Sequence, residues 1–108
     1  MTALDTAQIA ALWNVAVDIA GERIPAFYAR YGAGAEVEQN VIGMMRAALD
    51  CMERATALAV AHEPTRAAME RRVQRMRDHI AEHEAQLAAW LDVPMLIAID
   101  EAEHATKH

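Results

Sequence analysis

Between Ala35 and Leu91 the chain holds a single glycine, Gly43, and a single proline, Pro64. Those two residue types most often end a helix, so their scarcity leaves little that could interrupt one on either side of Pro64. Residues 35–62 carry Val37, Val41, Met44, Ala48, Met52, Ala55 and Ala59 at spacings of three and four. Residues 66–91 carry Met69, Val73, Met76, Ile80, Leu87 and Trp90 in the same rhythm. Such spacing lines one face of an α-helix. Pro64 disfavours α geometry at Glu63 and Thr65 is a cap residue, so the expected core is two antiparallel rods joined by "HEPTR". Each rod is on the order of 40 Å long.

Shorter elements flank this hairpin. Asp5 or Thr6 can cap a helix over 5–20 whose inner face is Ile9, Trp13, Ala16 and Ala20. Gly21 loosens its end, and Pro25 suits the first turn of a second helix over 24–31, which "YGAGAE" closes. The triplet "DVP" at 92–94 is read as a break before a last helix over 94–106. With 25 alanines and only seven glycines and prolines together, the expectation is one all-α domain across residues 1–108. A lone hairpin buries one stripe of each rod. The terminal helices must therefore lie across it, or a second copy must cover it, and a homodimer is expected.

A net charge of -6 and a pI near 5.2 oppose binding to a phosphate backbone, and nucleic acid is not an expected partner. The cluster "RRVQRMR" is flanked by Glu70 and Asp78 and reads as a solvated, ion-paired face. Cys51 is the only cysteine and can make no internal disulfide, while "MTALDTAQIA" lacks the basic start and apolar core of a secretory signal. A cytoplasmic setting is the expectation. Apolar-rich runs such as "ATALAVA" at 55–61 fall well short of the roughly 20 residues that cross a bilayer, so no membrane partner is expected.

Two His-x-x-x-His pairs, His79 with His83 and His104 with His108, carry the main chemical signal. Residues four apart on a helix stand one above the other and can present two imidazoles to one ion. With a turn centred on Val93, His83 and His104 would lie at matched heights, and Glu101 and Asp100 could add oxygen ligands. A divalent transition metal held by His79, His83, Glu101 and His104 is therefore one candidate site. Against it, Met95, Ile99, Ala102 and Thr106 form the apolar stripe of the last helix, which turns Glu101, His104 and His108 toward water. Only "EAEH" has the Glu-x-x-His form, whereas a di-iron bundle needs two such elements and two further glutamates.

Met44, Met52, Met69 and Met76 fall on the apolar stripes and read as core filler rather than as copper ligands. No phosphate-cradling glycine loop or nucleophile motif occurs, and no enzyme activity or obligatory cofactor is expected. What remains is a protein that works by binding another protein, as an adaptor, regulator or inhibitor. Phe27, Tyr28 and Tyr31 in "IPAFYARYG" are candidate partner-binding residues, or else a lid on the core. A metal-binding sensor or storage bundle is the alternative. A further alternative is an inhibitor whose 16 acids mimic phosphate toward a nucleic-acid-binding protein.

Overall fold

The computed structural model describes the backbone of residues 2–59 and 62–107, and the side chains of 2–59 and 62–91. It is an all-α bundle with no strand among the described residues. Helix α1 spans Ala3–Asp18, a π turn spans Ile19–Arg23, α2 spans Ile24–Tyr31, α3 spans Ala35–Leu58 and α4 spans Glu63–Lys107. Helix α3 is central, with α1 packed on one side and α4 on another.

The first helix starts earlier than Asp5. Thr2 is its N-cap: the Thr2 hydroxyl accepts the Asp5 N–H at 3.1 Å, and the Asp5 carboxylate accepts the Thr2 N–H at 3.2 Å. This reciprocal capping box makes Asp5 the third helical residue, not the cap. The two bonds from Thr2, backbone first, hold the Asp5 carboxyl below its usual range.

Gly21 and Pro25 do not separate two helices, since the chain is helical without a gap from Ala3 to Tyr31. The Ile24 N–H bonds to Ile19 O, five residues back, which is the mark of a π turn. In an α-helix, five residues would leave Ile24 about 140° round from Ile19. The extra residue brings both isoleucines to the same side, where Ile19 is buried and Ile24 packs on the core. It also carries Ala20, expected on the inner face, out into solvent. Pro25 lacks the N–H that an α turn would require at this point, and the π turn just before it absorbs the irregularity.

Glycine does close α2. Gly32 has φ 75° and Gly34 has φ 149°, in the region that residues with a Cβ avoid, so the reversal into α3 depends on both.

Helix α3 buries Glu38, Val41, Met45, Ala48, Met52 and Ala55 at alternating steps of three and four, with Ile42 buried beside Val41, and Ala59 just past its end continues the series. Helix α4 answers with Met69, Val73 and Ile80 buried and Met76 and Leu87 half-buried on the same rhythm. This is a seam of coiled-coil type. Its antiparallel sense shows in two cross-helix ion pairs, Arg46–Glu84 and Glu53–Arg77, both at 3.2 Å. They lie one heptad apart on each helix, in opposite directions. Ala55 and Ala59, fully buried, form a cluster with Met69, against which Ile9, Leu12 and Trp13 of α1 pack. Burial across these seams is the main force holding the bundle together.

Helix α3 ends at Leu58 rather than His62, because His62 caps α4. The Thr65 N–H bonds to the His62 ring nitrogen Nδ1 at 3.3 Å, and the Arg66 N–H to His62 O at 3.0 Å. Pro64 thus falls in the first turn, where a missing N–H leaves nothing unpaired, and Thr65 is not the cap. Nor does "DVP" end α4, which runs through Pro94 to Lys107. An interior proline costs about 3 kcal/mol, and the alanines, leucines and glutamates on either side favour helix strongly enough to continue past it. A helix of 45 residues is about 68 Å long, which sets the 71 Å longest dimension of the molecule.

Candidate functional site

Three helices contribute to one polar cluster. Glu38 of α3 is only 7% exposed, although it is a carboxylate. The Tyr28 hydroxyl of α2 donates to Glu38 Oε2 at 2.9 Å. His83 of α4 places Nδ1 against Glu38 Oε1, and the same nitrogen is 3.4 Å from the Tyr28 hydroxyl. Both carboxylate oxygens therefore have partners, which is what permits an acid at a seam position. Burial first, and then the hydrogen bond and negative charge of Glu38, push the Tyr28 hydroxyl up to about 12. It stays a donor throughout the neutral range.

The sequence candidates meet only in part. His83 is turned inward to Glu38, while His79 is exposed and lies 3.4 Å from Glu82 Oε2 on its own helix. Among the described residues no three His, Cys, Asp or Glu side chains converge to hold a metal ion. The side chains of Glu101 and His104 lie outside the described residues. Their backbone belongs to the same uninterrupted α4 as His83, so the return at Val93 that would bring them alongside it within one chain is absent. Met45, Met52 and Met69 are buried in the core, and Cys51 packs half-buried against it.

The three aromatics of "IPAFYARYG" divide. Phe27 packs on the cluster of Val41, Met45 and Ile80, and Tyr28 is tied to Glu38. Tyr31 is 55% exposed, with its ring 4.7 Å from that of Phe27 and the Arg30 guanidinium 5.3 Å from its centre. Of these three, only Tyr31 is exposed. A groove of about 490 Å³ runs between α1 and α3 past Leu12, Arg54 and Leu58.

A further feature follows from the length of α4. Ile80 packs against Val41 and Met45, so Ala35, the first residue of α3, lies level with α4 between about Leu87 and Trp90. Beyond that level α4 continues for roughly 25 Å without α3 beside it. Its composition changes at the same place. Ten of the 24 residues from Glu63 to Gln86 are charged, but Asp92 alone is charged among the 13 from Leu87 to Ile99. At the base of this stretch Trp90 is 46% and Leu91 44% exposed.

Comparison with protein-family models, with curated proteins and with solved structures finds no match in any of the three.

Proposed function

We propose that this chain is a self-associating helical protein that works by binding protein through the projecting end of α4, in the manner of an adaptor or regulator. One observation carries the reading: α4 outlasts α3, and the stretch Leu87–Ile99, where it begins to do so, carries a single charged residue, Asp92, before the charged end from Asp100. Apolar surface on a projecting helix is stabilised by a partner that covers it. No helix searched among the described residues is long and apolar enough to cross a membrane, and 13 residues make a rod of only about 20 Å. Protein is the cover that fits. The free thiol of Cys51 suits a reducing compartment such as the cytoplasm.

Neither other reading gains comparable support. His79 and His83 have different partners, as described. The acids are engaged in ion pairs on several helices, with Asp18 on α1, Asp50 and Glu53 on α3, and Glu63, Glu70 and Glu84 on α4, rather than gathered as a phosphate mimic.

Sedimentation velocity across a hundredfold concentration range tests the proposal. The native chain is expected to sediment as a dimer or larger species, and the double variant Trp90→Glu, Leu91→Glu as a monomer with unchanged helical content. A native chain that is monomeric at every concentration overturns the reading.

A further inference from the structure

We infer that His79 and His83 form a binding site on α4 for one divalent transition metal ion of the zinc, nickel or copper(II) kind, held through Nε2 of each ring with water completing its shell. The inference goes beyond protein binding by α4 and does not depend on it.

The two rings engage different neighbours through the same atom. His83 turns Nδ1 to Glu38 Oε1 on α3, and His79 turns Nδ1 to Glu82 Oε2 on its own helix at 3.4 Å. The Tyr28 hydroxyl also lies 3.4 Å from His83 Nδ1, but its one hydrogen goes to Glu38 Oε2 at 2.9 Å. With no donor facing it, His83 Nδ1 carries a proton and donates to the carboxylate, and the same holds for His79 against Glu82. In a neutral imidazole the lone pair is then left on Nε2. A carboxylate behind the ring is what metal-binding histidines commonly have, because it fixes the tautomer and makes the far nitrogen a stronger ligand.

That far nitrogen is available in both rings. No hydrogen bond among the described residues engages Nε2 of His79 or His83. A single buried side-chain nitrogen or oxygen among them lacks a partner, Arg66 Nε, so the unpartnered Nε2 of His83 is open to solvent. The His79 side chain is 52% exposed and free to turn. The helix brings the pair together: α4 is continuous through both, and residues four apart stand on one face with Cβ atoms about 5–6 Å apart. One ion at about 2.0–2.1 Å from each nitrogen fits that spacing. Two imidazoles select transition metals over magnesium and calcium, which take oxygen ligands.

Calorimetric titration of the full-length chain with zinc chloride and with nickel chloride tests the site. Substituting His104→Ala and His108→Ala silences the other pair of this spacing. The resulting chain is expected to bind one ion, and to keep doing so in excess magnesium. His79→Ala, added at an exposed position, deletes one of the two protein ligands and should weaken binding about a hundredfold. Glu38→Gln takes away the carboxylate behind His83 and should weaken it about tenfold, with circular dichroism reporting an unchanged helical content. Nitrogen NMR of the imidazoles reads the ligating atom: zinc should shift Nε2 of both rings. Undiminished binding in His79→Ala or in folded Glu38→Gln, ligation through Nδ1, or no uptake of either ion overturns the inference.

Discussion

Glu38 and His83 meet across the seam between α3 and α4, each occupying a position that its neighbours on the same helix fill with apolar side chains. Glu38 continues the series Val41, Met45, Ala48 backward, and His83 continues Val73, Met76, Ile80 forward. A polar pair within such a seam disfavours other registers of the two rods, because any slip buries a carboxylate without its partners.

Removing half of this pair should therefore hurt more than removing all of it. His83→Ala leaves Glu38 with Tyr28 alone and is expected to lower stability by about 2 kcal/mol. The double variant Glu38→Met, His83→Leu is expected to regain that loss or exceed it. Urea denaturation followed by circular dichroism measures both. Equal losses in the single and double variants would contradict the account.

Tyr28 predicts an alkaline transition. Its hydroxyl is raised to about 12 from the ordinary value near 10. The folded state thus holds this proton more tightly than the unfolded state. The resulting stability is fully present below about pH 10 and disappears as pH rises through about 12. Absorbance titration at the phenolate band should show one of the two tyrosines ionising near 12, and Tyr28→Phe should delete that step.

Two glycines should respond in opposite ways to alanine. Gly43 lies inside α3, exposed, with nothing within 4 Å of where a Cβ would sit. Gly43→Ala should stabilise by about 0.5–1 kcal/mol. Gly34, at φ 149°, ψ 171°, has equal room but a backbone that alanine resists, so Gly34→Ala should destabilise by about 1–3 kcal/mol. Thermal melting distinguishes the signs.

Ala55 is fully buried where α1, α3 and α4 converge. Ala55→Leu inserts volume into a closed contact and should cost about 1–3 kcal/mol, read as a lowered melting temperature.

Much of this architecture is legible in the residue order. The seam residues Val41, Ala48, Met52, Ala55, Met69, Val73 and Ile80 stand on an apolar rhythm that any helix would turn inward, and all are buried. Glu38 escaped the sequence reading because hydropathy marks a glutamate as surface. The available signal was its phase, three residues before Val41 on the same stripe. Pro64 and Pro94 show the limit of local rules. One lies in a first turn where its missing N–H is harmless, and the other is carried by the helix formers on both sides. The π turn has a legible trace too, since Ile19 and Ile24 can share a face only if one residue too many separates them. The polar cluster was harder to foresee. Tyr28, Glu38 and His83 come from three helices, and nothing local in the chain links them.

The overhang of α4 gives the Glu38–His83 contact a mechanical meaning. It sits close to the fulcrum from which the last stretch of helix springs, so a change of about 10° in how α4 leans on α3 there would swing the far tip by roughly 4 Å. A slight adjustment around Tyr28 would thus be enlarged along α4 before it reaches the tip.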